Sequence, residues 1–439
     1  MRAPTSFRSA ICILLLLLFA VPRTNAYSVL THEEIVDLAW TTSIVPLLKA
    51  RFPNATDADL RLAHAYAYGG SVIQDIGYYP FGSRYFSDLL HYVRTGDFVS
   101  ALIADSTDIN EYAFALGALA HYYGDTVGHP YINQATAQEY PKLGKRYGPI
   151  VTYEEDPVAH LRTEFGFDVV QVAHSRFASD DYRNFIGFQV AQPLLERAFQ
   201  ETYNLRMEDV FVDEDLAIGS YRHAVSKLIP KMTRVALASY GKQMKAEDPD
   251  FNRKEFLYRI KNSEYRKLYG RGYKQPNFGE RFAGFLIKLI PKIGPFRALK
   301  LSLPDAQEEA IYLKSVNLTV DDYEASLQKL SPAVTRKGPV IENLDLDTGH
   351  PTASGEYGLA DASYARLLGQ ITDFISPPVP IPLHDNVLAF YADPSAPNTM
   401  KTNASSWQQV QTNLQVLRKA QLAMPPAEST PAATPAASH

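Results

Sequence analysis

The stretch His121-Tyr-Tyr-Gly-Asp125-Thr-Val-Gly-His129 constrains this chain more than any other part of it. Its three metal-ligating side chains stand four residues apart, the spacing at which side chains line up along one face of an α-helix. At about 100° per residue, Asp125 lies roughly 40° and His129 roughly 80° round from His121. The residues in front of them are apolar or small, with Ala113, Phe114, Ala115, Leu116, Ala118, Leu119 and Ala120 in one run, so the ligating face points towards the interior. A buried carboxylate with no partner is costly, and a metal ion would relieve that cost. His160-Leu-Arg-Thr-Glu164 repeats the spacing with one imidazole and one carboxylate. Singly, a His with an acid four residues on is more often a surface ion pair or a satisfied core histidine; it is the joint pattern that points to a metal.

Apolar residues recur at three-four spacing from about residue 31 to 240, and clear β alternation is scarce, which predicts a mostly α-helical domain. Thr31-His32-Glu33-Glu34 reads as a helix start in which Thr31 caps the free amides and Glu34 returns the hydrogen bond, placing His32 in the first turn. Further helices are expected over 57–69, 84–95, 107–126, 156–177, 181–202 and 216–246, with the Pro-, Gly- and Tyr-rich stretch 135–154 as a loop. The chain turns charged and Tyr-rich over 247–280. Residues 281–304 are then apolar but studded with Lys288, Lys292, Arg297 and Lys300. The ordinary reading of that segment is a buried helix pair with snorkelling cations; the sharper one is a peripheral membrane contact that docks on lipid headgroups. One helix is expected over 359–375, and 425–439, made of Ala, Pro, Ser and Thr with little apolar bulk, as a disordered tail. The organisation expected is a helical domain over 27–246, a mixed helical or irregular extension over 247–424, and the tail.

Residues 1–26 carry Arg2 and Arg8, an apolar run from Ala10 to Val21, and Thr24-Asn25-Ala26, and so read as a secretory signal cleaved to leave Tyr27 first. Export to the periplasm or the cell exterior follows. The sole cysteine, Cys12, lies inside that segment, so the mature chain has neither disulfides nor thiolate ligands. Any metal site must be built from His, Asp, Glu and backbone groups, donors that zinc accepts when thiolate is absent. Losing Arg2, Arg8 and Arg23 leaves 40 basic against 48 acidic side chains, a formal charge of −8. A nucleic-acid scaffold would be expected to be basic, so no nucleic-acid partner is expected.

The order of these residues resembles the zinc-dependent phospholipase C family. It runs from Tyr27-Ser-Val-Leu-Thr31-His32 through Gly70-Ser-Val-Ile-Gln-Asp75 and His91 to His121–His129 and His160–Glu164. The opening Thr-His and the short gap between Asp125 and His129 look most like the catalytic domain of glycosylphosphatidylinositol-specific phospholipase D. The resemblance covers about residues 27–240 and implies a multi-helix phospholipase C/nuclease-like fold with up to three zinc ions. Asp75, His91, His121 and Asp125 would hold one. Asp125 would bridge to a second, held also by His32 and by the amino nitrogen and carbonyl oxygen of Tyr27. His129, His160 and Glu164 would hold the third. The resemblance further implies hydrolysis of a phospholipid or glycolipid phosphodiester, with Asp75 a candidate to accept a proton from the attacking water.

Two other functions fit parts of the pattern. Fungal single-strand-specific zinc nucleases resemble the same scaffold, although the acidic balance and the absence of cysteine rank this second. A non-catalytic membrane or envelope binding module would use residues 281–304 as its contact. His64, His174, His223, His350 and His384 have no partner at matching spacing and read as structural. Asp345-Leu-Asp347-Thr-Gly-His350 reads as an ordinary acidic turn, with a turn beside the site or a cation site as the lesser alternatives.

Overall fold

The computed structural model describes residues 29–173, 188–225, 306–330, 338–373 and 378–423, and the chain there is helical. Helix α1 (Val29–Ala39) passes through a π-helical turn, Trp40–Ile44, into α2 (Val45–Arg51). After α3 (Asp57–Val72) a 3-10 turn, Ile73–Tyr78, leads to α4 (Arg84–Tyr92), α5 (Thr95–Asp105) and the long α6 (Ile109–Glu139). There follow α7 (Pro141–Tyr147), α8 (Pro157–Ala173), α9 (Gln192–Tyr203), the short α10 (Met207–Val210) and α11 (Glu214–His223). The C-terminal part contributes α12 (Ala306–Leu327), α13 (Gly358–Asp373), α14 (Ile381–Phe390) and α15 (Ala404–Leu417). The one sheet among the described residues is a two-residue parallel pairing of β1 (Val379–Pro380) with β2 (Leu422–Ala423).

Local chemistry sets these boundaries. Thr56 and Asp59 form a reciprocal capping box at the start of α3. Asp108 starts α6 by accepting from the amides of Asn110 and Glu111 at 2.8 and 2.9 Å. With 31 residues, α6 is about 46 Å long. Every residue from Tyr112 to Tyr122 on it is buried, which makes it the central element. Helices α3, α12 and α8 pack against α6. The main hydrophobic cluster runs unbroken from Val29 on α1 to Leu417 on α15, so the C-terminal helices share a core with the N-terminal ones.

Three local expectations change. Thr31 does not cap α1, because the helix begins two residues earlier; its hydroxyl donates instead to Asp168 Oδ1 at 2.7 Å and meets Tyr312 Oη at 2.7 Å. Those bonds tie α1 to α8 and α12, a tertiary use of a residue type that local rules assign to a cap. The loop expected over 135–154 is shorter, because α6 continues to Glu139 and Pro141 then sits at the start of α7, where its missing amide costs nothing. Helix α5 comes at once after α4, separated only by an extended Val93 and a left-handed Arg94 at φ 51°, a break that apolar spacing does not mark. The expected signal segment, Tyr27, residues 281–304, the tail over 425–439 and the boundary at 246 all lie outside the described residues. No helix among the described residues is long and apolar enough to cross a membrane.

Candidate metal centre

Eight of the nine ligand positions read from the sequence converge, and Tyr27 lies outside the described residues. His32 comes from α1, Asp75 from the 3-10 turn and His91 from the last turn of α4. His121, Asp125 and His129 come from α6, and His160 and Glu164 from α8. All eight are at most 2 % exposed, so their donor atoms are shielded from bulk solvent. They fall into three groups of mutually close donor atoms: His32, His121 and Asp125; Asp75, His91 and His121; and His129, His160 and Glu164.

Asp125 is the hub. Its Oδ1 lies 3.4 Å from His32 Nε2 and 3.3 Å from His129 Nε2, and its Oδ2 lies 3.0 Å from His121 Nε2 and 3.4 Å from His91 Nε2. Asp75 Oδ1 is 3.4 Å from His91 Nε2, while Glu164 Oε1 is 2.7 Å from His160 Nε2 and 3.5 Å from His129 Nε2. The His32 and His121 rings stack, with centroids 4.1 Å apart. Gly124 makes that stack possible, because a Cβ on it would come within 2.9 Å of His32 Nδ1.

The outer nitrogens explain why the inner ones face one another. His91 Nδ1 donates to the Ser87 carbonyl at 2.8 Å, His121 Nδ1 to the Ser71 carbonyl at 2.9 Å and His129 Nδ1 to the Leu346 carbonyl at 3.0 Å. A proton held on Nδ1 leaves Nε2 as a bare lone pair turned into the hollow, the form in which imidazole ligates. Asp75 is set by its turn, which Gln74 fixes to α6 through a 3.0 Å bond to the Ala118 carbonyl.

Electrostatics follow from this crowding. Burial raises Asp125, but His121 and His129 more than offset it and hold the carboxyl well below its ordinary range. Burial pushes Asp75 up, against the pull of His121 and His91, to about 6. Burial and the neighbouring His121 hold His32 well below the usual imidazole value, in its neutral form. Without a cation, His129 is depressed by burial but raised by Asp125, Asp347 and Glu164, and ends at about 10, so an ion binding at its Nε2 has to displace a proton.

These residues fit metal ions. Both oxygens of Asp75, Asp125 and Glu164, and Nε2 of His91 and His121, are buried with no hydrogen-bond partner. So many orphaned polar atoms would be strongly destabilising in a hollow meant to stay empty, and cations on these lone pairs remove the penalty. The donor set, all nitrogen and oxygen, is one that zinc accepts.

The sequence reading gave little weight to residues 345–350, and the structure places that turn against the site. Leu346 N donates to the His91 carbonyl at 3.0 Å, and Asp347 Oδ1 lies 3.4 Å from His129 Nδ1. Gly349, at φ 71°, packs on the Thr126 carbonyl, where a Cβ would stand 2.3 Å away. Pro130, four residues on, has no amide with which to pair that carbonyl, so α6 is open to the turn at this point. Of the histidines read as structural, His64 pairs with Asp37 at 2.8 Å and stacks on Trp40, His384 pairs with its neighbour Asp385, and His174 lies outside the described residues.

No curated protein and no solved structure matches the chain. The model of the zinc dependent phospholipase C family matches residues 31–211, the span that contains all eight converging side chains, and over that span the chain is similar to that family.

Proposed function

We propose that the chain is an exported zinc-dependent phosphodiesterase that hydrolyses the phosphodiester of a phospholipid or glycolipid, in the manner of a phospholipase C. The observation that carries this reading is the set of buried, unsatisfied oxygens on Asp75, Asp125 and Glu164, facing imidazole nitrogens across a hollow built from five separate elements. The ligands assigned are Asp75, His91, His121 and Asp125 for one ion, Asp125 with His32 and the main chain of Tyr27 for a second, and His129, His160 and Glu164 for a third. Bound zinc would supply positive charge beside an anionic phosphodiester and lower the pKa of water towards about 7.

The chain's own contribution is orientation and exclusion of water. The Ser71, Ser87 and Leu346 carbonyls fix three of the rings, so that little rearrangement accompanies charge development in the transition state. Asp75 is assigned as the acceptor of the water proton, since its Oδ1 faces His91 and its Oδ2 is buried without a hydrogen-bond partner. The acidic balance of the chain favours a lipid or glycolipid over a polyanionic nucleic acid as substrate.

The purified chain should carry about three zinc ions and hydrolyse a chromogenic phosphocholine diester, with activity lost on chelation and recovered on adding zinc. Activity that survives thorough chelation overturns the metal dependence. Release of nucleotides from single-stranded DNA, with no headgroup release from liposomes, overturns the substrate class in favour of a nuclease. Liposome binding without turnover, unchanged by His121→Ala, would mark a binding module instead.

A further inference from the structure

We infer that residues 341–357, beyond the span that matches the family, are part of the metal centre, and that Asp347 is a positioning residue that aims His129 at the ion it shares with His160 and Glu164. The inference rests on the zinc reading above and extends it to a part of the chain for which that reading assigns no role.

Among the described residues the anchored imidazoles of the centre differ in one respect. His91 and His121 lean on main-chain carbonyls alone, whereas His129 Nδ1 has both the Leu346 carbonyl at 3.0 Å and a carboxylate, Asp347 Oδ1, at 3.4 Å. The difference falls where it is needed. His160, the other imidazole of that group, has no hydrogen bond at Nδ1, so the His129 ring is the one whose orientation is fixed. A carboxylate behind a ligating imidazole orients the ring and strengthens it as a donor.

Asp347 is itself held in place. It is 1 % exposed, and its Oδ2 accepts from Tyr92 at 2.8 Å and Tyr357 at 2.6 Å, which turns Oδ1 towards His129. Its main-chain carbonyl accepts from Asn133 Nδ2 at 2.9 Å, one turn along α6 from His129. The segment leading in is pinned by Tyr122, which donates to the Glu342 carbonyl at 2.8 Å, and by Thr95, which donates to the Leu344 carbonyl at 2.7 Å. Leu346 then joins two ligand helices, since its amide binds the His91 carbonyl while its own carbonyl binds the His129 ring. A loop that merely covered the surface would not need a buried carboxylate aimed at an imidazole.

The test uses the full chain and two substitutions, Asp347→Asn and Tyr357→Phe, with zinc affinity measured by competition against a chromogenic chelator and with the visible spectrum of the cobalt-substituted protein. Asp347→Asn should hold one of its ions about 10- to 100-fold more weakly than the parent and shift the cobalt bands of that site. Tyr357→Phe, which frees Asp347 without touching His129, should change the spectrum in the same direction by less, and it carries the test if the first variant does not fold. Unfolding of the chelated proteins reports any purely structural role separately. Parent-like zinc affinity and cobalt spectra in both variants, with only a fall in Tm, overturn the inference alone. A parent chain that takes up no zinc or cobalt overturns the metal reading, and the inference with it.

Discussion

Two His–Asp pairs in this chain look alike on paper and do different work. His121 and Asp125 approach to 3.0 Å inside a cluster with further imidazoles and carboxylates, whereas His64 and Asp37 approach to 2.8 Å with Trp40 stacked on the imidazole at 3.9 Å. The second pair satisfies itself; the first leaves both Asp125 oxygens and His121 Nε2 without a hydrogen bond. His64→Ala should therefore cost about 2–4 kcal/mol of stability, through a lost buried contact and hydrogen bond, and leave the zinc content unchanged. Equilibrium denaturation with metal analysis on the same sample checks this; loss of an ion would place His64 in the centre. At this scale the eight converging side chains were legible as candidate ligands because ligation demands particular side chains. The carbonyls of Ser71, Ser87 and Leu346 were not, because every residue has one and only the fold says which are near.

The helix that organises the site reconciles opposing demands. Helix α6 must be regular enough to place His121, Asp125 and His129 along one side, yet must admit a stacked histidine from α1 and a turn from the C-terminal part. Gly124 and Pro130 supply those openings. Alanine at 124 would favour the isolated helix by about 1 kcal/mol. It would also drive a Cβ to within 2.9 Å of the His32 ring. The ring, more mobile than the helix backbone, is what gives way. Gly124→Ala should thus leave thermal stability of the zinc-free chain equal or higher while the protein loses the ion assigned to His32, as metal analysis and unfolding in chelator would reveal. A variant with full zinc content would show that His32 does not need its stacked position. Element by element, periodicity placed the starts of α4, α6 and α8 to within about two residues, but it stopped α6 at 126, short of His129, where the helix runs on to Glu139, and it missed α5, whose start depends on one left-handed residue, Arg94.

Taken whole, the molecule joins a site on the N-terminal helices to a core that extends through the C-terminal ones. Ions that bind only the folded chain stabilise it by mass action, about 2.7 kcal/mol for each at a free concentration a hundredfold above Kd. Chelation should lower Tm by many degrees while keeping one cooperative transition, followed by circular dichroism and calorimetry; two separated transitions would show that the C-terminal helices fold on their own. The sequence by itself determined the helical class and the order of candidate ligands from His32 to Glu164, because helix periodicity and metal chemistry both act through side-chain type at fixed spacing. Only the tertiary structure decided that Asp347 and Leu346, more than two hundred residues beyond His129, stand behind its ring. That placement depends on where packing brings two distant segments together, and no local pattern of residues records it.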